Sequence, residues 1–285
     1  MKFEDIKTIG IVGAGTMGQG IAQICAQAGY TTILFDINAQ VLQKAEATTV
    51  RNLDKGIERG KLTEAEKQGA LENLTYTGDT LQLHCDVIIE AVVERLEVKQ
   101  SIFKDLDAVN TPDTIFASNT SSIPITRIAA GIPHPERVVG MHFFNPAHIM
   151  KLVEVISGAA TSPEVADTIR QLALKLDKTP VMAQDSPGFI VNRVARHFYV
   201  EGLKLLEEGV ANAQGIDRLM QASSFKMGPF ELMDLIGVDT NYSVTSSMFE
   251  AFHYDPKFRP SRIQQQKVDA GHHGRKSGKG FYTYE

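Results

Sequence analysis

"TIGIVGAGTMGQGIAQICAQAGYTTILFD", residues 8 to 36, decides the fold. Two apolar runs, 8–13 and 31–36, flank a proline-free segment from Met17 to Ala28 that stops at Gly29, a natural helix end. Strand, helix and strand in that order make a βαβ unit. Both strands are continuous in Ile, Val and Leu where an exposed sheet would alternate, as strands buried on both faces of a parallel sheet are.

The turn between the first strand and the helix reads Gly13-Ala14-Gly15-Thr16-Met17-Gly18. A GxGxxG alone is a weak signal; between a strand and a helix, inside a βαβ unit, it marks a dinucleotide site. Gly13 permits the tight turn, Gly15 lets the backbone approach a pyrophosphate, and Gly18 lets the helix pack close to the strand. The N–H groups of the helix start then face the anion. Asp36 closes the second strand, 23 residues after Gly13. Its carboxylate accepts from ribose hydroxyls and repels a 2′-phosphate, and no arginine follows it in "DINAQ". The expected cofactor is therefore NAD rather than NADP.

Beyond this unit, strand candidates follow at "DVIIEAVVE" (86–94), "TIFASNT" (114–120), "RVVGMHFF" (137–144), "LVEVIS" (152–157) and "TPVMAQD" (179–185). Helical patterns at 39–59, 95–107 and 163–176 alternate with them, which predicts a doubly wound α/β sheet. After Asp185 the texture changes. A long amphipathic helix is expected to open at Ser186-Pro187, with helices at 213–225 and 229–252, and "GFYTY" near the end is the next strand candidate. The chain is thus expected to hold a nucleotide-binding domain over 1–185 and an all-helical domain over 186–285.

Composition narrows the function. At 285 residues and 43% hydrophobic, the chain can build one large core and a smaller one. A net charge of -5 provides no global basic field, so no nucleic-acid partner is expected and an anionic ligand must be held locally. Cys25 and Cys85 are the only cysteines, without metal-ligand spacing, so neither disulfides nor a metal site are expected. No apolar run approaches the ~18 residues that cross a bilayer, and "MKFEDIKT" resembles neither a secretory nor a transit sequence. The expectation is a cytoplasmic protein without a membrane partner.

Two further patterns carry chemistry. In 39–59, Lys44, Arg51, Lys55 and Arg59 fall within an arc of roughly 80° on a helix, opposite Leu42, Val50, Leu53 and Ile57. A solvated face is the plain account; a rail for a phosphorylated ligand is the functional one. Secondly, "HFFNPAHIMKLVEV" (142–155) sets His142 and Glu154 into core-like segments on either side of an Asn-Pro break. A glutamate inside "LVEVI" is a costly charge unless something matches it, and an imidazole does. A carboxylate on one ring nitrogen leaves the other to take a proton from a substrate hydroxyl, which alcohol oxidation with NAD requires. "SNTSS" (118–122) falls at a strand end, where ligands of such sheets bind, and Asn192 in "DSPGFIVNR" falls near the domain joint.

Together "GAGTMGQGIA", "SNTSS", "HFFNP", "LVEVI", "DSPGFIVNR", "MGPFELMDLIGVD" and "RKSGKGFY" resemble, in order and over nearly the whole chain, the short-chain L-3-hydroxyacyl-CoA dehydrogenase family, nearest its bacterial 3-hydroxybutyryl-CoA branch. The resemblance implies NAD-dependent interconversion of (S)-3-hydroxyacyl-CoA and 3-ketoacyl-CoA, and a homodimer through the helical domain. It casts His142 as acid and base with Glu154 as partner, Ser121 on the substrate oxygen, and Asn192 positioning the acyl group. Glu94, Lys99, Ser121, Asn145 and Lys276 become further NAD contacts. It also turns the basic helix into a neighbour of the CoA phosphates, through Lys55 and Arg51. Because residues 45–75 are shorter than in mitochondrial relatives, those two contacts rest on position along the helix.

Three competing readings remain. Sugar-acid dehydrogenases resemble the same SNTSS and HxxNP pattern but need no CoA rail. β-Hydroxyacid dehydrogenases place a lysine one helical turn before an asparagine, where this chain has Gly188. A non-catalytic NAD-binding module has no use for a buried His-Glu pair.

Overall fold

A computed structural model describes all residues, 1–285, and the chain divides into two units, Met1–Ser186 and Pro187–Glu285. The first unit has strands β1 (Thr8–Val12), β2 (Thr31–Phe35), β3 (Leu74–Thr77), β4 (Val87–Glu90), β5 (Ile115–Ser118), β6 (Val138–Phe143), β7 (Leu152–Ser157) and β8 (Thr179–Gln184). Its helices are α1 (Thr16–Gln27), α2 (Ala39–Glu58), α3 (Glu64–Glu72), α4 (Leu96–Asp107), α5 (Ile125–Ala129) and α6 (Pro163–Lys175). The eight strands form one sheet in the order β3-β2-β1-β4-β5-β6-β7-β8.

Six strands, β3 through β6, run parallel, and the crossovers between them are helical or long. The α/β doubly wound expectation from the βαβ unit therefore stands. β7 runs antiparallel to β6, and β8 parallel to β7. The return through residues 144–151 explains the reversal: it is too short for the dozen or more residues that a parallel crossover needs. Ile9, Ile11, Leu34, Val87, Ile89, Ile115, Val139 and Val155 make the core with Ile21, Cys25 and Ile169 from the helices. Burying both faces of β1, β4 and β5 is what their unbroken apolar runs require.

Several boundaries differ from the sequence reading. The stretch after α2 holds α3 and β3, two elements beyond the sequence expectation. Thr63 and Glu66 form a reciprocal cap at the start of α3, a local signal present in "TEAE". Of "DVIIEAVVE" only Val87–Glu90 is strand, because the chain must leave the sheet to form the site loop. Ser186-Pro187 does not open the long helix either. Gly188 and Phe189 both have positive φ, at 71° and 50°, so α7 starts at Val191.

The second unit has α7 (Val191–Glu207), α8 (Ala213–Ala222), α9 (Pro229–Ile236), α10 (Val238–Ala251) and α11 (Arg262–Asp269). The single helix expected over 229–252 is two, because Gly237 at φ 108° breaks it. "GFYTY" forms no strand; only isolated bridges tie Lys279 to Gly274 and Thr283. Side-chain carboxylates hold this end instead. Buried Asp234 accepts from Phe281 N, Tyr282 N and Tyr284 Oη, each at 2.9 Å. Asp217 accepts from Phe230 N, Glu231 N and Tyr282 Oη at 3.0, 2.9 and 2.6 Å, capping α9 from α8. Tyr199, Leu203, Ile216, Phe230 and Met233 fill the small core between them.

Replacing Asp234 by alanine strands two half-buried N–H groups and a phenol. Asp234→Ala is expected to lower unfolding free energy by about 3 kcal/mol or more, read from a denaturant midpoint. An unchanged midpoint would show that the carboxylate does not hold the C-terminal segment.

Candidate functional site

The glycine turn has the geometry its sequence calls for. Gly13 sits at φ 100°, and a Cβ there would meet the Ala91 carbonyl oxygen at 2.7 Å. A Cβ on Gly18 would lie 1.7 Å from the Gly13 oxygen, so helix and turn touch through backbone. A Cβ on Gly15 would meet nothing within 4 Å: the turn opens there. Gly15 and Thr16 are exposed at the start of α1, no side chain caps that end, and Ala14 and Met17 complete the turn. Its N–H groups are thus available to an anion.

Asp36 is locked beside this turn. Its Oδ2 accepts from Ala14 N and its Oδ1 from Asn38 N, both at 2.9 Å. An open main-chain cradle and a fixed carboxylate just past β2 fit the pyrophosphate and adenosine ribose of NAD.

Under the ends of β4 and β5 lies a buried charge network that the sequence reading only partly found. Glu90, on β4, and Lys99, on α4, are almost wholly buried and 2.7 Å apart. Glu90 also accepts from Ser118 Oγ at 2.6 Å and Val92 N at 2.7 Å. Lys99 reaches Glu94 at 3.2 Å. Glu94 in turn gathers the SNTSS loop: its Oε1 accepts from Thr120 Oγ1 at 2.6 Å, Ser121 N at 2.9 Å and Ser122 N at 3.1 Å. Burial pushes this carboxyl up, but Lys99 and the Thr120 and Ser121 donors outweigh it and hold it below the usual range, so the anchor stays ionised. Glu94, Lys99 and Ser121 are thus brought together by direct contact. Glu90, Ser118, Thr120 and Ser122 join them, and a glutamate ending the apolar run "VIIE" was their signal in the sequence.

Next to this loop stand His142 and Glu154. They face each other as a cross-strand pair of β6 and β7, with Nδ1 and Oε2 2.7 Å apart. Exposure is 5% for His142 and 1% for Glu154, so the carboxylate is matched inside the sheet. Asn119 ties the SNTSS loop to β6 by accepting from Phe143 N at 2.8 Å. The Phe144 ring packs 4.5 Å from the imidazole centroid. With Nδ1–H donated to Glu154, Nε2 is the basic nitrogen of the neutral ring.

The other expected residues lie elsewhere. Asn145 is exposed just past β6. Asn192 is in the first turn of α7, in the second unit, and Lys276, also there, pairs with Asp239 at 2.7 Å. Arg51 and Lys55 project from α2, with Arg51 donating to Thr48 Oγ1 at 3.0 Å. Lys55 and Arg59 line a cleft of about 620 Å³ with Lys61, Lys151, Lys175 and Lys178; Lys44 and Arg51 do not line it. Lys178 is fastened by the Ala147 and Met150 carbonyls at 2.6 and 2.9 Å. No linear pattern announced Lys151, Lys175 and Lys178, because the β7 return and the turn after α6 bring them to α2.

The sheet order and the open glycine turn are those of a dinucleotide-binding domain. Residues 8–186 match the family model described as 3-hydroxyacyl-CoA dehydrogenase, NAD binding domain, and residues 188–284 match the C-terminal domain of the same family. The chain belongs to the 3-hydroxyacyl-CoA dehydrogenase family. It is 47% identical to the 3-hydroxyadipyl-CoA dehydrogenase of Escherichia coli over 98% of its own length, but spans only 59% of that relative. It is 43% identical to a probable 3-hydroxybutyryl-CoA dehydrogenase of Bacillus subtilis, covering 99% of this chain and 98% of that one. The crystal structure of (S)-3-hydroxybutyryl-CoA dehydrogenase from Ralstonia eutropha superposes with a TM-score of 0.94 at 41% identity, covering 99% of this chain and 100% of that one. No helix is long and apolar enough to cross a membrane.

The fixed carboxylate makes a cofactor prediction. Asp36→Ala should raise the NADPH to NADH ratio of kcat/KM by about tenfold or more by removing repulsion of a 2′-phosphate; an unchanged ratio would take that role from Asp36.

Proposed function

We propose that this chain interconverts short-chain (S)-3-hydroxyacyl-CoA and 3-ketoacyl-CoA with NAD, (S)-3-hydroxybutyryl-CoA and acetoacetyl-CoA being the reference pair. The observation that carries the reading is the buried 2.7 Å contact between His142 and Glu154. NAD, when bound on the glycine turn, supplies the hydride acceptor for the carbinol carbon. His142 Nε2 takes the hydroxyl proton. Glu154 holds the ring by Nδ1–H and stabilises the imidazolium that results. In the reverse direction the same imidazolium returns the proton to the keto oxygen.

Ser121 is the proposed donor to the substrate oxygen, and Asn192 positions the acyl group. Glu94, Lys99, Asn145 and Lys276 are assigned to the NAD side, Glu94 and Lys99 through the loop they organise. Lys55 and Arg51 serve the CoA phosphates. The cleft that Lys55 shares with Arg59, Lys151 and Lys175 supports the assignment of Lys55, though not of Arg51, which lies outside it, since clustered cations in a protein of net charge -5 favour a multiply charged anion and serve no sugar acid. The helical unit leaves Val194, Val210, Leu219 and Phe225 well exposed, which supports its proposed role as the homodimer contact.

Purified protein is expected to consume NADH when given acetoacetyl-CoA. Glu154→Gln should cut kcat by about 100-fold or more while the KM for NADH stays within about threefold. Absence of turnover in the wild type would sink the activity, and loss of NADH binding in the variant would make Glu154 a structural residue.

A further inference from the structure

The turn after α6 clasps the return that separates His142 from Glu154. Three consecutive residues, Asp177, Lys178 and Thr179, take part. Asp177 accepts from Lys151 Nζ through its carboxylate and its carbonyl, Lys178 Nζ donates to the Ala147 carbonyl at 2.6 Å and the Met150 carbonyl at 2.9 Å, and Thr179 N donates to the Lys151 carbonyl at 2.7 Å. On its other side the return rests on α1: Ala147 is buried, and a Cβ on Gly20 would meet the Ala147 Cβ at 3.2 Å. Residues 144–151 are therefore gripped between a helix and a turn, with His142 just before them and Glu154 just after.

Lys178 is the member of this clasp whose charge is unmatched. It is 7% exposed, and its acceptors are two carbonyls, whereas buried Lys99 has Glu90 and Glu94, and buried Arg137 has Asp107. Burial first, and then the charge of Lys151, pull its ammonium below the ordinary lysine range. An ammonium has three donors, and the return takes two; the third is left for the cleft of about 620 Å³ that Lys178 lines. Every residue lining that cleft belongs to the first unit. Lys55, Arg59, Lys61, Lys151 and Lys175 are its exposed cations, and Lys178 is the buried one. An anion in the cleft would thus meet a built charge that also holds the loop between the proposed acid and base and its carboxylate partner.

We propose that Lys178 is a positioning residue that couples the cleft to the proton-transfer pair: a phosphate group in the cleft pairs with its ammonium and fixes the return between His142 and Glu154, so that binding a remote part of the substrate raises kcat. This rests on the activity proposed above and on the placing of CoA phosphates beside Lys55. The physical basis is linkage. With Lys178 docked on the return its charge faces the cleft, and with Lys178 withdrawn it does not, so a phosphate favours the docked state by the difference in affinity. Coupling of this kind is reciprocal: the ordered return strengthens phosphate binding as much as phosphate strengthens the return. Interactions far from the reacting carbon then act on the chemical step. Lys55, on α2, takes no part in the clasp, and its share is affinity.

The test separates the reacting group from the phosphates. Acetoacetyl-pantetheine carries the former without the latter, and adenosine 3′,5′-bisphosphate is supplied in trans, with NADH saturating and acetoacetyl-CoA run alongside. In the wild type the bisphosphate should raise kcat for the pantetheine thioester by about tenfold or more. It should also slow amide hydrogen exchange across residues 144–151, where Ile149 N and Met150 N donate to the Pro146 carbonyl. In Lys178→Met the activation should shrink to within about twofold, and Lys178→Arg should keep part of it. A wild type that turns over acetoacetyl-CoA but shows no activation of the pantetheine thioester, or no change in exchange, overturns the inference while leaving the proposed activity standing, and needs no variant to fold. Full activation in a folded Lys178→Met overturns it as well. No turnover with either thioester overturns both.

Discussion

A glutamate carboxylate sits at 1% exposure in the middle of β7, and the imidazole opposite it on β6 is what makes that placement tolerable. Charges enter a sheet core only when matched. The match requires β6 and β7 to be neighbours in antiparallel register, and hence the short return through 144–151. The same return carries Lys151 into the basic cleft and sets the loop whose carbonyls hold Lys178. One buried hydrogen bond thus links sheet topology, the proposed acid and base, and the cationic surface.

A second buried pair organises the loop after β5. Lys99 bridges Glu90 and Glu94, and Glu94 collects the N–H groups of Ser121 and Ser122. Asn119 then joins that loop to β6 beside His142. The loop bearing the proposed substrate donor is therefore positioned by Glu94, which the buried Lys99 of α4 ties to Glu90 at the end of β4. Glu90 and Lys99 are almost wholly buried, so separating them would leave two charges unmatched in a low dielectric. Asp217 and Asp234 use the same device in the helical unit, where two carboxylates organise an end that has no sheet to pair with.

Much of the first unit is legible in the sequence, because buried parallel strands leave unbroken apolar runs and the glycine turn has a fixed grammar. β3 is hard to read because an edge strand of four residues carries little apolar signal, and α3 because a nine-residue helix that buries only Ala70 has little periodic signal beyond its Thr63-Glu66 cap. The break at Gly237 is a backbone event inside a continuous helical pattern, which periodicity does not register. At the site, Glu154 could be found by asking what pays for a charge in "LVEVI"; the same question put to "VIIE" finds Glu90. Lys151, Lys175 and Lys178 answer to no local question, since only the fold brings them beside Lys55.

The proposed proton transfer depends on which ring nitrogen of His142 carries the proton. Nitrogen-15 chemical shifts of the labelled imidazole, recorded where the ring is neutral, report that tautomer directly. A proton on Nδ1 and a bare Nε2 is the predicted result, with the assignment lost or mixed in Glu154→Gln. A neutral ring protonated on Nε2 in the wild type would contradict the claim that Glu154 orients the base.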